Sequence, residues 1–141
     1  MAAPHKPAPH KPAPHKPAAL QAVTLFTEDL AAAIEFYRTL LRADPVWGDT
    51  VSSVFMAGPV MINLLQVAAV PELIGPAPMA KPGARAVHTL TVADVDAEAA
   101  RLAVAGVALL NGPMDRPWGI RAVCVIDPSG HVWELAMPLK T

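Results

Sequence analysis

Histidine is the residue type in this chain with the widest chemistry, and three of the five histidines stand at regular intervals. His5, His10 and His15 each occupy the third position of the unit Ala-Pro-His-Lys-Pro, which repeats without error over residues 3–17. Imidazoles grouped together could bind a transition metal. Two prolines in five residues favour extended polyproline II geometry, in which successive imidazoles lie roughly 15 Å apart at ~3.1 Å per residue. Joint chelation would therefore require this segment to collapse.

Residues 1–18 also differ from the rest of the chain in composition. They hold six of the 16 prolines and three lysines, and no acidic residue. We predict a disordered or polyproline II tail that acts as a linker or solubilising segment. Weak metal capture and electrostatic attraction to an anionic partner are the alternatives.

Cys124 is the lone cysteine, and it offers little chemistry by sequence. A single thiol excludes an intrachain disulfide and a cysteine-based zinc site, and it fits a reducing compartment. It stands inside a predicted strand without a neighbouring base, so we interpret it as a core residue. No serine lies in a nucleophile elbow and no glycine-rich phosphate loop is present.

Composition narrows the class of protein further. With 141 residues, 53% hydrophobic and 16% charged, the chain is one globular domain by length, placed at residues 19–141. That body carries 8 basic and 12 acidic residues, which argues against a nucleic-acid partner. The longest apolar run is shorter than the ~20 residues that span a bilayer, and no signal-peptide pattern precedes it. We therefore expect no membrane partner and a cytoplasmic location.

A repeated pattern in the body predicts the elements that position its side chains. Residues 22–29 can be laid over 87–94, and both segments read as a strand ending at an aspartate suited to cap a helix. Asp29 and Asp94 are each followed by apolar residues at helical spacing, and Gly106 would end the second helix. Six further strands are predicted, at residues 45–47, 51–57, 60–67, 107–110, 120–126 and 131–137.

The unit is thus β-α-β-β-β, used twice. The first module covers about residues 20–67 and the second about 85–138, and a proline-rich connector over 68–84 joins them. Alternation along the strands predicts an apolar face under the helices made of Val23, Leu25, Ile62, Leu64, Leu90, Val92, Trp133, Leu135 and Met137. The opposite, mixed face is the candidate cavity.

Three segments carry a family resemblance. Val-Thr-Leu-Phe-Thr-Glu-Asp-Leu (residues 23–30), Ile-Glu-Phe-Tyr-Arg-Thr-Leu-Leu (34–41) and Asp-Pro-Ser-Gly-His-Val-Trp-Glu-Leu (127–135) resemble the vicinal oxygen chelate superfamily, which includes glyoxalase I, extradiol dioxygenases and bleomycin-resistance proteins. The resemblance covers roughly residues 20–138. It implies an α+β fold in which two βαβββ modules form a half-open cup of mixed β-sheet, with the helices on the convex face.

The resemblance also implies four metal-ligand positions, one on each of four strands. In this chain they hold Ala22, Asn63, Val87 and Glu134. A carboxylate with one amide oxygen is too little for an octahedral metal site or a facial triad. We therefore expect no metal and no cofactor.

Glu134 remains the candidate catalytic residue. It could act as a general base with a raised pKa or accept hydrogen bonds from a ligand. Alternatively, it is neutralised by Arg121, a threonine or water. His88 lies on the opposite face by alternation, and only a bulge would bring it into the cup, whereas His131 reads as a surface residue at a strand start.

We predict a mostly apolar ligand pocket with a few polar groups. Trp118, in a rim segment over 115–121, could stack on a flat ligand, although both it and Trp47 could instead pack a subunit contact. The candidate ligand-binding residues are Phe26, Trp47, Phe55, Met61, Asn63, Thr89, Met114, Trp118, Arg121 and Glu134.

The preferred hypothesis is a metal-free homodimeric protein that binds a small planar or aromatic drug or metabolite. The alternative is a metal-dependent lyase, isomerase or dioxygenase that restores a metal with Glu134, Asn63 and His88 or a partner-chain residue. A third hypothesis is an interaction module whose tail delivers the body to an anionic partner.

Overall fold

The computed structural model describes residues 16–139, so the three tail histidines lie outside the described residues. The first unit comprises β1 (Ala22–Thr27), α1 (Leu30–Leu41), β2 (Trp47–Gly48), β3 (Ser52–Ala57) and β4 (Val60–Gln66). The connector contains a 3-10 turn (Val67–Ala69) and the short helix α2 (Val70–Ile74). The second unit comprises β5 (Val87–Thr91), α3 (Val95–Val104), β6 (Leu109–Arg116), β7 (Ile120–Ile126) and β8 (Val132–Pro138).

Each unit builds one four-stranded sheet, and the two sheets have the same topology. Their strand orders are β1-β4-β3-β2 and β5-β8-β7-β6. The first strand of each unit runs parallel to the last, while the remaining pairs are antiparallel. The fold is therefore α+β with two βαβββ modules, as the duplicated pattern predicts, and it is consistent with a cup.

Both long helices begin at the aspartate that the sequence singles out. Asp29 and Asp94 are extended, and the Oδ1 atom of each accepts a hydrogen bond from the backbone amide three residues later, at 3.1 and 3.0 Å. Such a cap stabilises a helix by about 1 kcal/mol. The longest helix has 12 residues, and no helix within residues 16–139 has the length and apolar character needed to cross a membrane.

One core lies between the helices and the strand faces that point toward them. Leu25, Ile62, Leu64, Trp133 and Leu135 are each no more than 4% exposed. Val23, Leu90, Val92 and Met137 pack against this cluster. The alternation predicted for the helix-covered face is thus confirmed. The helices contribute Ala33, Tyr37, Leu40, Val95, Ala99 and Leu102.

A buried polar network joins the first module to the second within this core. The Tyr37 hydroxyl on α1 donates to Asp127 Oδ2 at 2.6 Å, and Trp133 Nε1 on β8 donates to the same hydroxyl oxygen at 2.9 Å. Asp127 Oδ1 accepts from the backbone amides of Ser129 and His131. Burial, followed by the charge of Asp127, raises the pKa of Tyr37, so the phenol stays protonated and remains a donor.

β6 is longer than the short strand predicted over 107–110. Its pairing with β7 shifts register between Leu109 and Asn111 and again between Asn111 and Met114. Gly112 has φ +82°, and a Cβ there would meet the Ala122 carbonyl oxygen at 2.6 Å. Because these irregularities interrupt the strand pattern, the prediction from sequence ends this strand too early.

Candidate functional site

The face of the second sheet that points away from the helices gathers polar side chains from all four strands. Glu134 on β8 lies between Thr89 on β5 and Cys124 on β7 in the pairing register. Asn111 on β6 lies opposite Cys124. Paired residues share a face of the sheet. We call this group, with the Arg116 side chain that contacts Asn111, the open-face cluster: Thr89, Asn111, Arg116, Cys124 and Glu134.

Glu134 has a single direct partner in this cluster. Its Oε1 atom accepts a hydrogen bond from the Thr89 hydroxyl at 2.9 Å. Within residues 16–139 no lysine or arginine forms an ion pair with it. Three partners for Glu134 were considered from sequence: Arg121, a threonine and water. The structure shows the threonine, Thr89, in contact with it. The carboxylate remains able to accept hydrogen bonds from a bound molecule.

Arg116 is the cation of the cluster, and the sequence analysis missed it. Its Nη2 atom donates to Asn111 Oδ1 at 3.0 Å, whereas its Nε atom is buried without a hydrogen-bond partner among the described residues. The centre of its guanidinium lies 5.9 Å from the centre of the Trp118 ring, within cation–π range. The structure thus places a partly unsatisfied cation beside an exposed aromatic ring.

Cys124 lies at the centre of the cluster but is not an activated thiol. It is 7% exposed. Burial, followed by the negative charge of Glu134, raises its pKa, and Arg116 only partly opposes that shift. Because the thiolate is the nucleophile, Cys124 is a weak one at neutral pH. Its burial agrees with the interpretation of Cys124 as a core residue.

Two further predicted ligand-binding residues lie near the cluster. Met114 on β6 pairs with Ala122 on β7, which puts it on the helix-free face. Trp118 lies in the turn between β6 and β7 and is 67% exposed. Both side chains can therefore contact a molecule held at this face.

Arg121 is not on the cavity side, contrary to the expectation from sequence. It pairs with Met137 in the register, on the helix-covered side of the sheet. There its guanidinium bonds to Asp96 at 2.8 and 2.9 Å and to Asp115 at 2.9 Å. The same contacts raise the pKa of Arg121 and lower that of Asp96. Its role is to tie the first turn of α3 to β7.

Phe55 likewise does not line a cavity. It is fully buried, pairs with Ile62 in the register, and its ring centre lies 6.3 Å from that of Tyr37. Ile62 belongs to the helix-covered face, so Phe55 does too. It is a core residue because one-residue alternation turns it away from Val54 and Met56.

The helix-free face of the first sheet holds the remaining candidates. Asn63 Nδ2 donates weakly to the Thr24 hydroxyl at 3.4 Å, and its Oδ1 atom is buried without a partner among the described residues. Phe26 and Met61 flank it in the register, and Trp47 pairs with Val54 next to it. Trp47 is 57% exposed. These side chains form a mostly apolar surface around Asn63, whose amide oxygen is buried.

The two histidines of the body lie away from the open-face cluster. His88 pairs with Trp133, and their ring centres are 4.9 Å apart, so His88 lies on the helix-covered side. The β5–β8 pairing has no bulge that would turn it toward Glu134. His131 lies within 2.9 Å of the Phe26 carbonyl oxygen through Nε2, which makes it a contact between the modules.

The donor set does not fit the metal that the superfamily implies. The four equivalent positions hold Ala22, Asn63, Val87 and Glu134. His88, the proposed substitute, faces the other side of the sheet from Glu134. Within residues 16–139 no group of three or more His, Cys, Asp or Glu side chains could hold a metal ion. Within this chain, the set of Glu134, Asn63 and His88 in the alternative hypothesis is therefore not brought together.

The duplicated modules and this face define the class of protein. The family profile of the Glyoxalase/Bleomycin resistance protein/Dioxygenase superfamily matches residues 19–135, most of the chain. The protein belongs to this superfamily.

Sequence relatives cover only part of the chain. An uncharacterized protein of Mycobacterium bovis is 43% identical over 51 residues, which are 36% of this chain and 34% of that protein. An uncharacterized protein of Mycobacterium tuberculosis is 43% identical over 51 residues, which are 30% of its length. The chain thus spans about a third of the length of the curated relatives it matches.

Solved structures match nearly all of this chain. A glyoxalase/bleomycin resistance protein/dioxygenase from Nocardioides is 26% identical with a TM-score of 0.76, over 89% of this chain and 86% of that one. A glyoxalase-related enzyme from Fulvimarina pelagi is 27% identical with a TM-score of 0.74, over 84% and 86%. Lactoylglutathione lyase from Agrobacterium tumefaciens, 23% identical over 86% and 94% with a TM-score of 0.66, shares the fold.

Proposed function

We propose that this protein binds a small planar or aromatic molecule on its helix-free sheet face, without a metal. One observation carries the proposal: the open-face cluster combines an acceptor, Glu134, with a cation, Arg116, beside the exposed ring of Trp118. A few polar groups on an otherwise apolar surface are what orients a small ligand. Within residues 16–139 the one thiol is buried with a raised pKa and no donor set suits a metal, which favours binding over chemistry.

The chemistry of the cluster suggests how such a ligand would be held. A flat ring can stack on Trp118, and an anionic substituent can pair with the guanidinium of Arg116 beside it. Glu134 would accept a hydrogen bond from a hydroxyl or amine on the same ligand. We also propose a homodimer, since the superfamily is often dimeric and Trp47, Trp118 and Leu110 are at least half exposed.

Tryptophan fluorescence titrated with planar antibiotics and aromatic carboxylates tests the binding proposal. The Trp47→Phe variant serves as the parent, because it leaves Trp118 as the exposed reporter. We expect Trp118→Ala or Arg116→Ala to weaken binding of the best compound by about threefold to tenfold, as measured by calorimetry. Arg42→Ala is the matched control, since Arg42 pairs with Glu98 elsewhere. A Trp118→Ala protein that binds as tightly as its parent would rule out the stacking role.

Metal analysis of protein purified without a metal-affinity column tests whether the protein is metal-free. We expect manganese, iron, nickel and zinc far below one per chain. A near-stoichiometric metal that disappears in Glu134→Ala, but persists in the exposed-carboxylate control Glu72→Ala, would overturn the metal-free assignment.

A further inference from the structure

A separate cavity lies beside β1 and the connector, and the proposed function does not use it. It has a volume of about 270 Å³ and lies between β1, the connector segment over 79–86, and His88, Ser129 and His131. Of the ten ligand-binding candidates, it touches only Phe26. Glu134, Arg116 and Trp118 do not line it.

The connector closes this cavity through a tight backbone contact. Gly130 has φ +92°, and a Cβ built there would lie 3.0 Å from the Gly83 amide nitrogen. Two glycines thus let the connector lie directly against the turn that precedes β8. The Ser129 hydroxyl contacts Thr27 at 3.2 Å, which anchors the same turn to β1. A side chain at Gly130 would therefore crowd the contact between this turn and the connector.

The polar groups around the cavity favour a negatively charged guest. Lys81 and Arg85 line it from the connector and take part in no ion pair among the described residues. By contrast, four arginines outside the cavity are paired with carboxylates: Arg38, Arg42, Arg101 and Arg121. Glu28 is the one carboxylate among the residues lining the cavity.

Two imidazoles also line the cavity. The Phe26 carbonyl is an acceptor only, so the Nε2 of His131 that lies 2.9 Å from it must carry the hydrogen. His88 Nδ1 is buried without a partner among the described residues, so a lining residue of the cavity carries an unsatisfied polar atom. Burial and the neighbouring His131 lower the pKa of His88, while Asp127 acts weakly in the other direction.

We propose that this cavity binds a small organic anion of the dicarboxylate class, held by Lys81, Arg85 and the two imidazoles. The cavity volume of about 270 Å³ lies just below the range of drug-sized pockets, which favours a small molecule such as succinate.

Titration of the full chain with succinate, followed by backbone amide NMR, tests the proposal. We expect saturable shifts at Gly83, Ser129 and Gly130, and about tenfold weaker binding in the double variant Lys81→Gln, Arg85→Gln. The charge-matched control Arg38→Gln should bind succinate as the parent does. Inorganic phosphate in a parallel titration shows whether a carboxylate is preferred.

The outcomes separate this proposal from the function proposed for the open-face cluster. Succinate has no ring to stack, so Trp118→Ala should leave its binding unchanged even if aromatic ligands are lost. Absent or non-saturable shifts, an unaltered affinity in the Lys81→Gln, Arg85→Gln variant, or phosphate bound more tightly than succinate would each overturn it. Equal weakening in Arg38→Gln would show a general charge effect and reject the site.

Discussion

Replacing Tyr37 by phenylalanine removes one oxygen atom from the core and tests the network that joins the two modules. The phenol donates to Asp127 at 2.6 Å and accepts from Trp133 Nε1 at 2.9 Å, and Tyr37 is fully buried. Losing a hydrogen bond to a charged group costs about 1.5–3 kcal/mol, and a buried donor left unsatisfied costs about 1–3 kcal/mol. Phenylalanine fills nearly the same volume, so no cavity adds to the loss.

These contributions overlap, and we expect the free energy of unfolding to fall by about 3 kcal/mol. At roughly 3 °C per kcal/mol for a chain of this size, the melting temperature would fall by about 10 °C. Urea unfolding followed by circular dichroism measures the change, with the slope against urea unchanged. Thr39→Ala is the control, since it removes an exposed hydroxyl from the same helix and should cost no more than about 0.5 kcal/mol. A loss below about 1 kcal/mol in Tyr37→Phe would refute the reasoning.

Three further predictions concern residues whose placement the structure changes or defines. Arg116→Gln should weaken aromatic-ligand binding and Arg121→Gln should not, and the opposite result in calorimetry would reject the placement of the two side chains on opposite faces. Phe55→Ala should cost about 3–5 kcal/mol in urea unfolding, and a loss below 1 kcal/mol would contradict its burial. Because the pKa of His88 is lowered, the unfolded chain binds more protons below about pH 6.5. The free energy of unfolding should therefore fall as the pH drops below that value, and His88→Gln should flatten the fall; an unchanged slope would contradict it.

The module pattern is predictable from sequence because it depends on local rules. An aspartate before an amphipathic stretch caps a helix wherever the chain places it, and both caps form. Strand alternation assigns Leu25, Ile62 and Trp133 to the core for the same reason. Phe55 could also have been assigned correctly, since it pairs with Ile62 across the β3–β4 turn. Its aromatic character, rather than its position, suggested a pocket.

The second half of the site depends on β6, where local rules fail. Asn111 reaches the helix-free face because the register shifts beside it, whereas the two shifts cancel by Arg116, which keeps the parity that alternation from Leu109 gives. Counting by two cannot recover the placement of Asn111, and the predicted strand ends at Leu110, before Arg116; only the Gly-Pro pair at 112–113 signals an irregularity. Arg121, the predicted cavity cation, instead lies on β7 with the parity of Val123 and Val125.

Neighbouring residues on β8 link the core to the proposed binding face. Trp133 is fixed on one side by its hydrogen bond to Tyr37, and Glu134 projects on the other side toward Thr89. Since a one-residue shift would exchange these faces, the buried network that holds Trp133 also holds the carboxylate in place. The hydrogen bond from Trp133 to Tyr37 therefore ties the first module to the strand that carries Glu134. This coupling gives the polar contacts around Tyr37 a positioning role beyond their contribution to stability.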